Sequence, residues 1–227
     1  MRARGGSRLA TLQIATVGGD DTPVLLGLRD YPVAKAYLLH HPDSARQAQA
    51  LREKLRGLMI EAVVREVGPD TITGTLKAVA EILASESKRF DHIVANIAGG
   101  SPLCGCSLLM AAFVHGIEAI HIVEGKTFKM PVLRFSYTQL IGDEKFRILD
   151  AIQAAGGVAA SLDDLAKRTG MAKADVVRHL KNPRDPPGLE DLGVVEIRRG
   201  AKGVAGIAIT ESGLLLLVGS HPGHTHP

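Results

Sequence analysis

The stretch LDDLAKRTGMAKADVVRHLK, residues 162–181, decides how this chain is organised. A small residue at Ala166, a glycine at Gly170 and an apolar residue at Val176 have the spacing of two short helices joined by a tight turn. The small side chain lets the second helix cross closely at Ala166, and Gly170 can adopt the positive φ that the turn requires. The stretch therefore predicts a helix-turn-helix, and the alternative is an ordinary helical hairpin.

The segments that flank this helix-turn-helix complete a small domain. Residues 144–155 have apolar side chains near helical spacing and predict a preceding helix. Downstream, the Pro- and Gly-rich residues 182–188 predict a break in the helical structure. Residues 192–197 and 207–210 predict two strands with a basic turn at 198–203 between them, and residues 211–218 predict a short apolar helix. This order resembles the winged helix-turn-helix domains of prokaryotic transcription regulators, in which the hairpin is the wing.

The resemblance implies double-stranded DNA as a partner. In such domains the N-terminal part of the second helix reaches base edges, and the wing follows the DNA backbone. The residues at those positions, which we predict to bind DNA, are Lys173, Ala174, Arg178, Arg198, Arg199 and Lys202. Arg178 is the expected base reader, because arginine bonds guanine bidentately, and the wing residues are expected to contact phosphates. A solvated charged surface is the alternative for each of these side chains.

Length and charge indicate two domains that are not strongly basic. The 227 residues are enough for two cores, and we predict a first domain at 1–140 and a second at 141–227. The chain has 27 Lys and Arg against 24 Asp and Glu; the residues after Gly142 hold 11 of each, which leaves 16 against 13 before it. Any affinity for DNA would therefore depend on where the basic residues are placed.

Cysteine use and hydropathy indicate a reducing compartment. Cys104 and Cys106 are too few for a disulfide framework, and no apolar run is long enough to span a bilayer. The basic N-terminus is short, and the segment after it is too interrupted for a signal peptide. We expect a cytoplasmic protein with no membrane partner and with a disordered tail at 219–227.

The first domain alternates predicted strands with predicted helices. The strands are predicted at 9–17, 33–40, 61–66, 92–97, 119–123 and 132–135, and the helices at 22–30, 43–58, 73–90 and 103–115. Parallel strands need crossover connections, so this alternation predicts an α/β, doubly wound, Rossmann-like parallel sheet with helices on both faces. Such a sheet binds ligands at the carboxyl ends of its strands.

Two glycine-containing loops follow strands of this sheet and form the predicted ligand site. The candidate ligand-binding residues of the two loops are Gly18, Gly19, Asp20, Thr22, Asn96, Ala98, Gly99, Gly100 and Ser101. Glycine lets the backbone approach a phosphate, and the N–H groups of the turn and of the following helix attract anions. Neither loop has the spacing of a dinucleotide fingerprint or of a P-loop. Tight packing is the alternative role for the glycines, and Asn96 either bonds the ligand or braces the turn.

Three segments resemble one known family. HIVANIAGGSPLCGCSLLMAAFVHGIEAIHI, residues 92–122, resembles the second ligand-binding motif of CRISPR-associated Rossmann-fold (CARF) domains, and TVGGDDTPVLLGL, residues 16–28, is similar to the first. Residues 130–152 resemble the junction in archaeal regulators that join a CARF domain directly to a winged helix. The resemblance implies a homodimer that holds a cyclic oligoadenylate, a CRISPR second messenger, between its paired loops.

Two positions depart from the family pattern. Ala98 replaces the usual Thr, and Pro102 stands where a Lys would follow Ser101. In some relatives that Lys contacts the ligand or assists its cleavage. We therefore expect no enzymatic activity, no catalytic residue, no metal site and no resident cofactor. Cys104 and Cys106 are interpreted as small residues that let the helix approach the sheet, because no further Cys or His cluster accompanies them.

The sequence thus predicts a ligand-responsive, DNA-binding transcription regulator of CRISPR-Cas genes that senses a cyclic oligoadenylate at the dimer axis of its CARF domain. One alternative is a CARF-type enzyme, either a ring nuclease or a nucleic-acid-cleaving effector. The other is an adaptor whose winged helix binds protein.

Overall fold

The computed structural model describes residues 10–132, 136–184, 186–200 and 203–220. The chain divides into two units, Met1–Ser136 (unit 1) and Tyr137–Pro227 (unit 2). The sequence places the domain boundary between residues 140 and 141, four residues after the division between the two units. Within the described ranges, no helix is long and apolar enough to cross a membrane.

Unit 1 is built on a six-stranded sheet. Its strands are β1 Thr11–Val17, β2 Val33–His40, β3 Glu61–Glu66, β4 His92–Asn96, β5 Glu118–Val123 and β6 Lys126–Lys129. Its helices are α1 Thr22–Asp30, α2 Ala45–Gly57, α3 Thr71–Glu86 and α4 Pro102–His115, with a 3-10 helix at Pro42–Ser44. The strand order is β3-β2-β1-β4-β5-β6, and β1 to β5 pair in parallel. The predicted Rossmann-like α/β fold of this unit is confirmed.

The last strand differs from the prediction of a wholly parallel sheet. β6 pairs antiparallel with β5, whereas the sequence predicts a sixth strand at 132–135. Glu124 and Gly125 join the two strands and have positive φ, 50° and 73°. A two-residue turn with positive φ at both positions closes a tight antiparallel hairpin, so no crossover helix is needed. Residues 133–135 lie outside the described residues.

The two glycine-containing loops follow β1 and β4, which are the two central strands of the sheet. Every residue of β1 is buried, because the strand lies inside the sheet and helices flank it. Large side chains from both sides of β1 complete this core, and among them Leu12, Ile14, Leu38, Leu108 and Ile120 are almost completely buried.

Unit 2 contains five described helices and a small sheet. The helices are α5 Tyr137–Ile141, α6 Asp143–Ala154, α7 Leu162–Thr169, α8 Lys173–Leu180 and α9 Glu211–Ser220. The strands are β7 Val158–Ala159, β8 Val195–Gly200 and β9 Gly203–Ile209, and they form the order β7-β9-β8. The sequence does not predict α5 and β7, which are too short to show a periodic pattern.

The turn between α7 and α8 has the local features that the sequence predicts. Ser161 Oγ accepts a hydrogen bond from the Asp164 N–H at 3.1 Å and caps α7. Gly170 ends α7 with a φ of 69°, the left-handed conformation that glycine adopts without strain. Val176 is fully buried. The two helices are therefore held in a fixed relation by an apolar contact and a glycine turn.

Candidate functional site

The two glycine loops leave neighbouring strands at the same edge of the sheet. β1 ends at Val17 and β4 ends at Asn96, and the two strands pair in parallel. The chain continues from β1 to β2 and β3 on one side and from β4 to β5 and β6 on the other, so the strand order reverses between β1 and β4. Ligands bind at such a reversal, outside the carboxyl ends of the strands. We call residues 18–21 loop 1 and residues 97–101 loop 2.

Loop 1 and loop 2 contact each other through their backbones. A Cβ added to Gly18 would lie 2.5 Å from the Cα of Gly100. A Cβ added to Gly99 would lie under 3.0 Å from the carbonyl oxygen of Thr16, and the Thr16 hydroxyl donates to the Gly99 carbonyl oxygen. Gly18 and Gly99 are therefore required by the packing of the protein itself, which is the alternative role stated for the glycines above.

Asn96 is fully buried and braces loop 2 against the start of α1. Its Nδ2 donates to the carbonyl oxygen of Pro23 at 3.0 Å, and its Oδ1 accepts from the Ala98 N–H at 3.1 Å. A Cβ added to Gly27 would lie 2.6 Å from Asn96 Nδ2 and 2.7 Å from Gln13 Oε1. The absence of a side chain on α1 at Gly27 thus leaves room for a buried polar pair that the sequence analysis does not identify.

The solvent-facing part of the candidate site is smaller than the predicted set. The exposed members are Gly19, Asp20, Thr22, Gly100 and Ser101, whereas Ala98 is half-buried and Gly18, Gly99 and Asn96 are buried. A Cβ added to Gly19 would meet no atom within 4 Å in the described part of the chain. Gly19 is therefore the glycine at which a ligand has the most room to approach the backbone.

The N-terminus of α4 is the part of the site that suits an anion. Ser101 Oγ accepts from the Cys104 N–H at 3.3 Å and caps the helix, and Pro102 occupies its first turn. The sequence of α4, PLCGCSLLMAAFVH, has no Asp, Glu, Lys or Arg, so no such charge opposes the partial positive charge at the helix N-terminus. Backbone N–H groups at this end are suited to phosphate oxygens.

Loop 1 is acidic, whereas loop 2 carries no charged side chain. Asp20 Oδ1 accepts from the Thr22 N–H at 2.9 Å, and this bond holds the pKa of Asp20 below its ordinary value. Asp21 forms an ion pair with Lys54 of α2. The loop therefore presents the ionised carboxylate of Asp20 to solvent.

A His–Asp pair that the sequence analysis does not single out lies at the same edge of the sheet. His40, the last residue of β2, is the register partner of Val17, so His41 follows β2 as loop 1 follows β1. His41 Nδ1 lies 3.1 Å from Asp43 Oδ2. His41 Nδ1 also accepts from the Asp43 N–H at 3.4 Å and caps the 3-10 helix at Pro42–Ser44, so the pair closes the turn after β2.

Cys104 and Cys106 lie in the first turns of α4. In the residues that the structure describes, no three His, Cys, Asp or Glu side chains are grouped to hold a metal ion. Cys104 is buried and Cys106 is exposed. A Cβ added to Gly105, between them, would lie 2.8 Å from the Ile97 carbonyl oxygen, so this end of α4 approaches the β4 segment closely.

Two of the predicted DNA-binding residues on α8 have acidic neighbours. Lys173 Nζ lies 2.9 Å from an oxygen of Asp163, and Arg178 Nη2 lies 3.0 Å from Asp175 Oδ1. Both basic side chains remain more than half exposed, and Ala174 is exposed beside them. A DNA phosphate or base would therefore have to compete with these carboxylates for the cations.

The predicted wing residues lie on a strand and not in a turn. β8 continues to Gly200, so Arg198 and Arg199 belong to the strand, and the sequence interpretation of 198–203 as a turn is wrong for both. The ladder of β8 with β9 runs from the Val195–Ile209 pair to the Gly200–Gly203 pair, beyond the strand end predicted at residue 197. Arg199 Nη2 lies 3.7 Å from Glu190 Oε2. Lys202 lies outside the described residues.

No protein-family profile and no curated protein matches this chain by sequence. Solved structures that are similar to it in fold include the following three. Can2 from Sulfobacillus thermosulfidooxidans, in complex with cyclic tetra-adenylate, is 13% identical with a TM-score of 0.44, and the match covers 92% of this chain and 63% of Can2. Protein VC1899 from Vibrio cholerae is 9% identical with a TM-score of 0.45, covering 92% of this chain and 64% of that one.

The third structure is a type III CRISPR defence DNA nuclease activated by cyclic oligoadenylate. It is 14% identical with a TM-score of 0.48, and the match covers 71% of this chain and 30% of the nuclease. This chain thus spans less than two thirds of the length of each of the three proteins. The prediction that this chain is not an enzyme is contradicted, because a nuclease is among the similar structures, and we withdraw it.

Proposed function

We propose that this chain is a CARF-type sensor in which unit 1 binds a cyclic oligoadenylate and unit 2 binds double-stranded DNA, as a regulator of CRISPR-Cas genes. The observation that carries the proposal is the contact of loop 1 with loop 2 at the reversal point of a Rossmann-like sheet. Two of the similar structures are named for the same class of ligand.

An anionic ligand suits the loops because the N-terminus of α4 attracts phosphate. Gly100 has a φ of 76° and turns the backbone into the helix. Ser101 accepts from the Cys104 and Gly105 N–H groups and Pro102 has none, so α4 offers a phosphate its helix dipole and the Leu103 N–H. A nucleotide ring offers several phosphates at a fixed spacing. A ring on a two-fold axis presents equivalent phosphates to two copies of loop 2.

A homodimer is supported by the outer surface of α4. Leu103, Cys106, Met110 and Phe113 are exposed and recur at intervals of three and four residues, which places them on one face of the helix. A helix that is apolar on its outer as well as its inner face is ordinarily covered. A second copy of α4 is a suitable cover, and it would set two copies of loop 2 near each other because α4 begins directly after that loop.

Double-stranded DNA is the proposed partner of unit 2 because a short helix, a glycine turn and a second helix precede a β-hairpin. In the winged helix-turn-helix arrangement, α8 would enter the major groove and the β8–β9 hairpin would follow the backbone. Arg178 on α8 and Arg199 on β8 are both more than half exposed. DNA that binds through these two side chains has to displace their ion pairs with Asp175 and Glu190.

The experiment that tests the proposal measures DNA affinity with and without ligand. Fluorescence anisotropy would follow a labelled duplex from upstream of the gene and its neighbours, at several salt concentrations. Cyclic oligoadenylate should change the DNA dissociation constant by about 5- to 150-fold, the range of ordinary coupling between sites. An unchanged dissociation constant, or no binding above that of an unrelated duplex, contradicts the regulator.

A second candidate function is a CARF-type enzyme that cleaves a phosphodiester bond. It is favoured by the His41–Asp43 pair, because an oriented imidazole next to loop 1 is placed as a base for a bound ribonucleotide. Product analysis by mass spectrometry after incubation with the ring, and separately with DNA or RNA, tests it. Cleavage that is lost in His41→Ala supports the enzyme, and intact substrates with the wild type exclude it.

A further inference from the structure

The charge of loop 1 is unexpected for a loop that contacts a polyanion. Asp20 is exposed, and the Lys54 ammonium, which pairs directly with Asp21, also attracts the Asp20 carboxylate from a greater distance. Asp21, its neighbour, is already neutralised by Lys54. A phosphate beside Asp20 would be repelled, whereas a hydrogen-bond donor would be attracted. Loop 1 is therefore suited to a part of the ligand that is not the phosphate.

The Asp20 carboxylate is held in place and still has acceptor capacity. The Thr22 N–H donates to Oδ1 at 2.9 Å, so the side chain is fixed against its own loop. A carboxylate has about four lone-pair sites, and the Thr22 N–H and the Thr22 side chain together use two of them. The remaining sites are open to solvent because the side chain is exposed.

The two loops divide the ligand between them. Loop 2 and α4 carry no Asp, Glu, Lys or Arg, and the Leu103 N–H is the donor in the first turn of α4 that Ser101 does not use, so the phosphate belongs there. Gly18 contacts Gly100, and Asp20 stands two residues beyond that contact. The group that Asp20 meets must therefore be a donor close to the phosphate.

A ribose hydroxyl meets this description. In a 3′–5′-linked ring the remaining donors are the ribose 2′-hydroxyl and the adenine amino group. The 2′-hydroxyl stands on the carbon next to the one that bears the phosphate, whereas the amino group is at the far edge of the base. In dinucleotide-binding Rossmann folds an acidic side chain about 20 residues after the glycine-rich turn accepts from a ribose hydroxyl, so a carboxylate is an established acceptor for this group, although Asp20 lies in the turn itself.

We infer that Asp20 accepts a hydrogen bond from a ribose 2′-hydroxyl and thereby selects ribonucleotide over deoxyribonucleotide rings. This inference rests on the proposed function of unit 1. It assigns a specificity role to a residue whose charge would otherwise weaken the binding of an anion. A 2′-hydroxyl is the group by which proteins distinguish RNA from DNA.

The test is calorimetry of the full chain with cyclic tetra-adenylate, with its all-2′-deoxy analogue and with a ring that lacks the adenine amino group. The wild type should bind the ribose ring about 10- to 100-fold more tightly than the deoxy ring, as expected for a hydrogen bond to a charged group. Asp20→Asn keeps an oxygen for the Thr22 N–H and should reduce this preference to less than about 3-fold.

Asp91→Asn is the matched control, because Asp91 is also exposed and accepts one backbone N–H, from Ala10, at the opposite edge of the sheet. This variant should keep the wild-type preference. Equal binding of ribose and deoxy rings by the wild type, or an unchanged preference in Asp20→Asn, overturns the inference. Neither result contradicts the proposal that unit 1 binds a cyclic oligoadenylate. An Asp20-dependent preference for the amino group overturns it in favour of base reading. Absence of binding of any ring by the wild type removes both the inference and the proposed function.

Discussion

The contact between the loops predicts that two glycines of one site respond differently to substitution. Gly99→Ala places a Cβ under 3.0 Å from the Thr16 carbonyl oxygen, where ordinary contacts are 3.4 Å or longer. Either loop 2 or the end of β1 must move, and the bond from the Thr16 hydroxyl to Gly99 is disturbed. Gly19→Val adds its side chain where nothing lies within 4 Å in the described part of unit 1.

The expected loss of stability follows from these two effects. Overpacking costs about 1–3 kcal/mol, and a lost hydrogen bond costs about 1 kcal/mol, so Gly99→Ala should lower the free energy of unfolding by about 2–4 kcal/mol. At about 3 °C per kcal/mol for a domain of this size, its Tm should fall by about 6–12 °C. Gly19→Val should change stability by no more than about 0.5 kcal/mol and should weaken ring binding instead.

Differential scanning calorimetry and ligand titration separate the two effects. A variant Gly99→Ala that melts with the wild type would refute the loop contact as described. A variant Gly19→Val that binds the ring with unchanged affinity would show that the ligand does not approach loop 1. Gly99→Val would not separate the two effects, because its side chain would clash with the Thr16 backbone and a loss of ring binding would follow from the disturbed loops alone.

Three further predictions address DNA, assembly and pH. Arg178→Ala should weaken the free energy of DNA binding by about 1–3 kcal/mol and relax discrimination at one base pair. Arg199→Ala should weaken binding to all duplexes alike and lower by about 1 the slope of the logarithm of the binding constant against the logarithm of the salt concentration. Identical, salt-independent effects of the two variants in anisotropy titrations would contradict these roles. Phe113→Glu should convert the dimer to a monomer in sedimentation, and an unchanged mass would exclude the α4 face. Lys35 Nζ lies 2.8 Å from Glu86 Oε1 and lowers the pKa of Glu86, so unit 1 should be stabilised above the ordinary glutamate pKa of about 4.3 and lose this stabilisation as the pH falls below it. Glu86→Gln should remove this pH dependence of the melting temperature. A melting temperature of Glu86→Gln that falls at acidic pH as much as that of the wild type would contradict the role given to the Lys35–Glu86 pair.

Local sequence patterns predict much of the fold because each strand and helix of unit 1 carries its own periodicity. The bounds of α1, β2 and β3 agree with the predictions. The hairpin of β5 and β6 is missed because the Glu124–Gly125 turn is a weaker signal than the apolar run at 132–135. β7 has only two residues, too few for the alternation of apolar and polar residues that predicts a strand.

The candidate site is predicted only in part because its contacts join residues far apart in the chain. The sequence places Gly18 and Gly99 at strand ends, but the register of β1 with β4 decides that they pack against backbone. The same holds for Asn96, whose amide is used by Pro23 and Ala98. His41 comes next to loop 1 only through the pairing of Val17 with His40.

Isothermal titration calorimetry of the wild-type chain with cyclic tetra-adenylate and cyclic hexa-adenylate decides whether unit 1 binds a cyclic oligoadenylate. At least one ring size should bind, with one ring for every two chains, because the proposed ligand lies on the axis of a dimer. Inorganic phosphate at the same concentration should not compete, since the ring binds through several phosphates and a ribose at once. Absence of binding by either ring, or one ring for every chain, would contradict the proposal.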